Sequence, residues 1–252
     1  MPLSELALTH ALERIGVRAP VRFEEVTRST QAAALGLAAE GAPEWSIVAA
    51  GHQTEGRGRL GRTWVDEPGA ALMFSVVLRP DLDPASGGLI PLLAGWAMAV
   101  ACRELAGADV GCKWPNDLLL GEEKVGGLLA ESQIDAGRFA FIVLGVGVNL
   151  SAAPVEVPGA GALGPVAPEE LLGRFLEVFA RRYEPAHPAF AGAVAAAYRE
   201  VCLTLGRHVR ATGTDGTDFE GEAIDVDETG ALVVRTASGL EPVRSGEIEH
   251  LR

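Results

Sequence analysis

Apolar and polar residues follow regular patterns along this chain, and these patterns predict helices and strands in turn. The first 16 residues have the pattern of an amphipathic helix, and residues 21–27 alternate like a half-buried strand. Ser29 or Thr30 then precedes a small-residue stretch to about residue 40, as an N-cap precedes a helix.

The rest of the first 205 residues continues in the same mixed manner. Apolar, β-rich runs predict strands at 45–52, 71–78, 110–114, 118–120, 124–134 and 139–149, and the predicted helices are 88–106, 168–183 and 188–205. Residues 151–167 are rich in proline, glycine and alanine and predict a mobile loop. This order favours an α+β fold, a mixed β-sheet with helices on one side.

From Gly206 onward the pattern contains short strands separated by turns and no helix. The predicted strands are 208–211, 218–227, 232–236 and 242–244. They predict a small SH3-like β-barrel, and we divide the chain into domains at 1–205 and 206–252. The barrel has five arginines against ten acidic residues, which makes it a poor surface for nucleic acid.

Composition narrows the functional classes. The formal net charge of −13 argues against nonspecific nucleic-acid binding, and the longest apolar run, residues 89–102, is too short to cross a bilayer. The three cysteines and five histidines have no metal-type spacing, so we expect neither a disulfide framework nor a zinc site. The N-terminus lacks the basic start and apolar stretch of a signal peptide. We therefore expect a cytoplasmic protein without a membrane partner.

The strongest clue to chemistry is the segment GHQTEGRGRLGRTW, residues 51–64, which we call the arginine loop. It places Arg57, Arg59 and Arg62 among four glycines in an otherwise acidic chain, as a loop that meets an anion would. Its G-x-G-x-x-G spacing resembles a dinucleotide fingerprint, but residues 62–69 lack a helical period and stop at a proline. We reject that interpretation; a solvated hairpin with scattered charge remains the alternative.

Two further segments have polar residues at strand ends. Lys113, Asn116 and Asp117 surround a proline turn, where Lys and Asn are suited to phosphate oxygens and Asp to a nucleotide-borne Mg²⁺. An ordinary β-turn explains the same residues. Lys124 precedes the paired glycines Gly126 and Gly127, and glycine in a strand indicates a close approach by a ligand or by another backbone.

Gly145 and Gly147 clear one face of a later strand, which ends at Asn149. A bulged core strand capped by asparagine is the alternative. Ser29 and Thr30 are explained by helix capping alone or by binding a polar small molecule. Taken together, these segments supply clustered cations, a carboxylate for Mg²⁺ and an indole, Trp64, that can stack on a base. Such a set is suited to activating a carboxylate with ATP.

The segments also resemble a known family. R-S-T-Q, GRGRLGRTW, KWPNDLLL, KVGGLLAE and GVGVNL occur in the order and at the separations found in biotin–protein ligases. The resemblance is dense over residues 20–150 and looser through the C-terminal part. It implies a class II synthetase-like catalytic domain followed by the SH3-like barrel.

The resemblance implies a two-step reaction. Biotin and Mg-ATP would give biotinyl-5′-adenylate and pyrophosphate, and a lysine of a carboxylase carrier domain would then take the biotinyl group. It implies biotin contacts for Ser29, Thr30, Gln53, Gly56, Arg57, Lys124, Gly126 and Gly127. It implies ATP or adenylate contacts for Arg59, Arg62, Trp64, Lys113, Asn116, Asp117 and Asn149, with Mg²⁺ at Asp117. Lys124, Arg57 and Arg59 would be catalytic, and no tightly bound prosthetic group is expected.

Two departures from the family pattern qualify these expectations. The family usually reads S-T-N where this chain has Ser29, Thr30 and Gln31, so a role for the third residue is in doubt. About 20 residues precede the first strand, too few for the helix-turn-helix that makes some members repressors, so we expect no DNA binding. The alternatives are a lipoate–protein ligase and a non-catalytic binding module.

Overall fold

The computed structural model describes residues 3–214 and 216–251. The helices are α1 Glu5–Arg14, α2 Thr30–Ala39, α3 Leu89–Ala106, α4 Pro168–Ala180 and α5 Phe190–Arg199. The strands are β1 Val21–Glu24, β2 Ile47–Ala50, β3 Gly56–Arg57, β4 Thr63–Trp64, β5 Ala71–Leu78, β6 Val110–Lys113, β7 Asp117–Leu120, β8 Glu123–Asp135, β9 Arg138–Asn149, β10 His208–Gly213, β11 Asp218–Val226, β12 Leu232–Thr236, β13 Gly239–Val243 and β14 Gly246–His250.

A seven-stranded mixed sheet organises the first 200 residues. Its strand order is β1-β2-β5-β9-β8-β7-β6. β1 and β2 are parallel, and every other neighbouring pair is antiparallel. A parallel pair needs a crossover connection, which α2 supplies. The predicted α+β architecture is therefore confirmed.

The helices lie on both faces of this sheet, so the expectation that they share one face was wrong. Successive residues of a strand point to opposite faces. Val48, Val77 and Val143 pack with Ala34 and Ala38 of α2 in a small apolar cluster. The alternate residues of the same strands belong to the main core with α1, α3, α4 and α5. Among the described residues, α2 is the helix on this face, and the hairpin β3–β4 lies over the same face.

The predicted helix 88–106 is confirmed as α3. With the short helical turn before it, the segment Pro84–Ala106 is 23 residues long and apolar enough to cross a membrane by length and composition, contrary to our sequence estimate. The structure buries 67% of its most apolar window inside the protein. This burial is the state of a core helix.

The last predicted helix ends earlier than expected. α5 stops at Arg199, and the chain then runs beside β6, where Cys112 N–H donates to Val201 O at 2.7 Å and Leu203 N–H donates to Cys112 O at 2.8 Å. These bonds compete with helix continuation to residue 205. The three cysteines are buried free thiols, and burial raises the pKa of each.

The C-terminal part forms a five-stranded antiparallel sheet in the order β13-β12-β11-β10-β14. Our sequence pattern missed β14, which pairs with β10. Apolar side chains of this sheet, including Val209, Val234 and Ile248, belong to the same continuous core as the larger sheet. The small barrel is therefore packed against the first 200 residues. The division at residue 205 remains a prediction.

Candidate active site

A cavity of about 320 Å³ opens on the face of the large sheet beside α2. Its lining comes from several parts of the fold. The large sheet supplies Ser75, Gly127, Leu129, Gly145 and Gly147, and α2 supplies Thr30 and Gln31. The other lining residues are Gln53, Arg57 to Arg59, Arg62 and Trp64 of the arginine loop, Lys113 to Asp117, Lys124, and Gly246 to Glu249 of β14. Lys113 and Lys124 are the only lysines of the sequence, and both line this cavity.

The arginine loop is a small hairpin in the structure, with β3 and β4 paired and a turn at Arg59–Gly61 between them. Leu60 at its tip has φ 54°, a left-handed conformation that side chains rarely adopt. A strand and no helix follows Gly61, in agreement with our rejection of the dinucleotide fingerprint.

Two arginines at the hairpin tip contact other parts of the chain. Arg59 donates from Nη1 to Asn116 Oδ1 at 2.9 Å and to Gly246 O at 3.3 Å. Arg62 pairs with Glu247 of β14. Burial lowers the pKa of Arg59, and the charge of Asp117 opposes this shift. The hairpin therefore joins the large sheet to the barrel and covers the cavity mouth.

Lys124 is held at both its side chain and its backbone. Its Nζ lies 2.6 Å from Asp117 Oδ1. Its N–H donates to Gly159 O at 2.8 Å, and its carbonyl accepts from Gly161 N–H at 2.9 Å. Residues 159–161 of the loop that we predicted to be mobile thus run beside Lys124. The loop has no helix or strand of its own, but this part of it fixes the position of the lysine backbone.

The glycines of β8 and β9 make room for the residues above them. A Cβ at Gly147 would lie 2.8 Å from the Trp64 ring, and a Cβ at Gly127 would lie 3.7 Å from it. Trp64 therefore lies against Gly147, where a side chain would collide with its ring, and beside Gly127, where a Cβ would make an ordinary contact. A Cβ at Gly126 would point away, to within 3.0 Å of Leu118 in the core. The cavity accordingly uses one of the paired glycines of β8.

Four polar side chains form the cavity floor. Gln53 Oε1 accepts from Thr30 N–H at 2.8 Å and from Thr30 Oγ1 at 3.1 Å. Thr30 Oγ1 lies 3.0 Å from Ser75 Oγ, and Ser75 donates to Gln31 Oε1 at 3.0 Å. Sequence reasoning missed Ser75 and left Gln31 undecided. The signal for Ser75 was available, because it is the one polar residue in the buried run of β5.

Four predicted site residues lie outside the cavity lining. Ser29 is buried as the N-cap of α2 and accepts from Ala32 N–H at 3.3 Å. Gly56 pairs with Trp64 in the hairpin, and Gly126 faces the core. Asn149 donates to Gly161 O at 3.0 Å. It therefore contacts residues 159–161, the segment that hydrogen-bonds to the Lys124 backbone. Their contacts with ligands remain predictions.

Two buried polar atoms near the cavity have no hydrogen-bond partner among the described residues: Trp64 Nε1 and Asn149 Oδ1. One is a donor and the other an acceptor. An unpaired buried polar group costs free energy, and a ligand with matching groups removes that cost. Within residues 3–214 and 216–251 no cluster of three metal-type side chains occurs, and Asp117 is the carboxylate on the proline turn.

The barrel supports the proline turn from behind. Trp114 donates its backbone N–H to Thr204 Oγ1 at 3.0 Å and its indole Nε1–H to Gly230 O at 3.0 Å. Thr204 Oγ1 also lies 3.1 Å from His250 Nε2. Burial, together with the charges of Lys113 and Arg207, lowers the pKa of His250 to about 4. None of these barrel contacts was foreseen from sequence.

Comparison with known proteins identifies the family that this chain matches. The model of the biotin/lipoate A/B protein ligase family matches residues 23–149, and that of the biotin protein ligase C terminal domain matches residues 204–251. The chain is 37% identical to a Mycobacterium tuberculosis protein named biotin–[acetyl-CoA-carboxylase] ligase, over all of this chain and 97% of that protein. It is 31% identical to a Bacillus subtilis bifunctional ligase/repressor, over 98% of this chain and 79% of the relative.

A solved structure is similar over nearly the whole fold. A mutant biotin protein ligase from Aquifex aeolicus, determined in complex with biotin, has a TM-score of 0.74 and 25% identity. The match covers 92% of this chain and 98% of that one.

Proposed function

We infer that this chain, which belongs to the biotin protein ligase family, activates biotin with ATP and transfers the biotinyl group to a carrier protein. The reaction is an ATP-dependent ligation through biotinyl-5′-adenylate. The main observation in support of this function is that the floor and the mouth of the cavity are lined by different kinds of side chain. Its floor is a set of hydrogen-bonding side chains, and its mouth is lined by Arg57, Arg59, Lys113 and Lys124. A neutral polar head group fits the floor, and a carboxylate beside a phosphate fits the mouth.

The cationic residues have two separate proposed roles. Lys124, Arg57 and Arg59 are the catalytic residues of this proposal, because they would screen the biotin carboxylate and the α-phosphate so that one anion attacks the other. Lys113 and Arg62 would hold the leaving pyrophosphate. No protein nucleophile is required, since the carboxylate oxygen attacks phosphorus and pyrophosphate departs.

The biotin head group would lie on the floor, against Thr30 and Gln53. The adenosine part would lie by Trp64 and Asn149, whose buried Nε1 and Oδ1 have no hydrogen-bond partner among the described residues. The biotin contacts predicted for Ser29, Gly56 and Gly126 stay predictions, because these residues lie outside the cavity lining.

Mg²⁺ would enter with ATP. This ion is usually bound by one or two carboxylates together with substrate phosphates and waters. Asp117, beside Asn116 on the proline turn, supplies one such carboxylate, and it is half-buried next to the phosphate-facing cations. We propose Asp117 as its protein ligand. The ion supplies charge neutralisation on the phosphates.

The second substrate is a lysine of the biotin carboxyl carrier domain of a carboxylase, in keeping with the name of the M. tuberculosis relative. The carrier amine attacks the acyl carbon of the adenylate, and AMP leaves. We propose a cytoplasmic location, supported by three free buried cysteines of the kind found in reducing compartments. The prediction that neither nucleic acid nor membrane is a partner stays a prediction.

One assay separates this proposal from its alternatives. The protein is mixed with Mg-ATP and biotin, lipoate or octanoate, and pyrophosphate release is followed. Biotin-dependent release supports the proposal, and lipoate-dependent release would assign the other substrate of the family. No release with any of the three acids would leave a binding module as the remaining interpretation.

A further inference from the structure

The side-chain amide of Gln31 has one possible orientation in the cavity floor. Its Nε2 lies 3.1 Å from Val143 O, and a backbone carbonyl can only accept a hydrogen bond. The atom facing Val143 must therefore be the donor nitrogen. The other amide atom, Oε1, consequently faces Ser75. Gln31 is 3% exposed, and these two protein contacts orient its amide.

This orientation fixes the hydroxyl proton of Ser75. The Ser75 hydroxyl is fully buried and lies 3.0 Å from Gln31 Oε1, which has no hydrogen to donate. A serine has one hydroxyl proton, and here it points to Gln31. Ser75 Oγ therefore has only lone pairs left for its other neighbours.

The same reasoning applies on the opposite side of the floor. Thr30 N–H can only donate, so the atom of Gln53 that it contacts at 2.8 Å must be Oε1. The Thr30 hydroxyl proton then goes to Gln53 Oε1 or to Ser75 Oγ, at 3.1 Å and 3.0 Å. In both arrangements the oxygens of Thr30 and Ser75 keep free lone pairs. Ser75 Oγ is therefore an acceptor, and Thr30 Oγ1 is an acceptor toward the cavity while its proton stays in either of these two bonds.

The absence of a side chain at Gly145 makes room for the Gln31 amide. A Cβ at this position would lie 2.5 Å from Gln31 Oε1 and would push the amide away from Ser75. The length of Gln31 also matters, because its amide reaches from α2 to Val143 on β9 and to Ser75 on β5. An asparagine, one methylene shorter, would not span from α2 to both strands.

We propose that Gln31 and Ser75 are specificity-determining residues that make the cavity floor an acceptor surface for ring N–H groups. This proposal rests on the proposed function, and within it the two N–H groups of the biotin urea ring are the matching donors. A head group with a ring oxygen in place of N–H would place lone pairs against lone pairs. The floor would therefore reject it.

The test compares biotin with a cyclic carbamate analogue in which a ring oxygen replaces one urea N–H. Binding of each to the full chain is measured by calorimetry. We expect the unchanged protein to prefer biotin by roughly 10- to 100-fold, the usual effect of one mismatched buried hydrogen bond. In Gln31→Met, the Ser75 proton is free to turn into the cavity, and we expect the preference to fall to about threefold or less.

A matched control and a second variant keep the result interpretable. Gln133→Met makes the same change on the exposed end of β8, away from the cavity, and we expect it to keep the preference. Ser75→Ala deletes the acceptor and should also abolish the preference, which covers the case that Gln31→Met does not fold. An unchanged preference in the folded cavity variants would overturn the inference. Failure of the unchanged protein to release pyrophosphate with biotin would instead contradict the proposed function.

Discussion

Lys124 reaches from β8 to Asp117 on β7, where its Nζ and the carboxylate Oδ1 are 2.6 Å apart. The lysine is 40% exposed and the aspartate 25%, so water screens the pair and keeps its net stabilisation small. An incoming carboxylate or phosphate has to compete only with this weak partner. Asp117 therefore positions the Lys124 ammonium group at the cavity mouth without preventing it from binding an anionic substrate group.

Replacing Lys124 with alanine should remove the main electrostatic contribution to adenylate formation. We expect pyrophosphate release to fall by about 100-fold or more, the scale measured for loss of one preorganised donor. The free energy of unfolding should change by less than about 1 kcal/mol, because the broken ion pair is partly exposed. A several-fold loss of activity in a normally folded variant would refute the assigned role.

We expect any side chain at position 147 to displace the Trp64 ring and weaken ATP binding. The Cβ of Gly147→Ala would lie 2.8 Å from the Trp64 ring and would push the indole into the cavity. We expect the apparent KM for ATP to rise at least about tenfold, since Trp64 is proposed to contact the nucleoside. Gly36→Ala is the matched control: nothing lies within 4 Å of its Cβ, and alanine there should stabilise α2 by about 1 kcal/mol. Equal KM values in the two variants would contradict this prediction.

The contact between Arg62 and Glu247 should hold the arginine loop against the barrel. Glu247→Ala removes it, and we expect trypsin to cleave after the loop arginines several-fold faster, because the hairpin tip opens more often. The pair is mostly exposed, so global stability should change by at most about 1 kcal/mol. Glu222→Ala breaks a similarly exposed pair with Arg235 elsewhere in the barrel. Equal cleavage rates in the two variants would count against the contact.

His250 should make the protein less stable in mild acid. Burial lowers its pKa to about 4 from an ordinary value of 6.5, so between these values the unfolded chain binds more protons than the folded one. Stability is full above about pH 6.5 and declines as the pH falls toward 4. Thermal melting of His250→Gln should show a shallower decline in this window than the unchanged protein. His10→Gln, on the exposed surface of α1, should keep the original slope.

Local signals in the sequence predicted the fold well. Strand β5 and helix α2 have the predicted bounds to within a residue, because an unbroken apolar run and a serine cap define them without help from distant residues. The alternation of side chains along a strand could also have corrected one of our site predictions. Neighbouring residues of a strand face opposite sides, so Gly126 and Gly127 could not both line one cavity.

Contacts between distant segments were beyond the sequence pattern. Arg59 and Gly246 are 187 positions apart, and nothing in either segment specifies the other. β14 is five residues long and has one apolar side chain, Ile248, too little to distinguish it from a turn. The role of Gln31 was left undecided for the same reason, because it depends on a hydrogen bond to Ser75, 44 positions away on a strand.

The two lysines of this chain have a consequence for its own chemical integrity. An acyl-adenylate that escapes an active site acylates nearby primary amines, and the enzyme that releases it is the nearest protein. Here both lysines line the cavity, and every other cationic side chain that is not histidine is an arginine, whose guanidinium stays protonated and does not react as an amine. Outside the cavity lining, the chain thus offers no lysine for self-biotinylation.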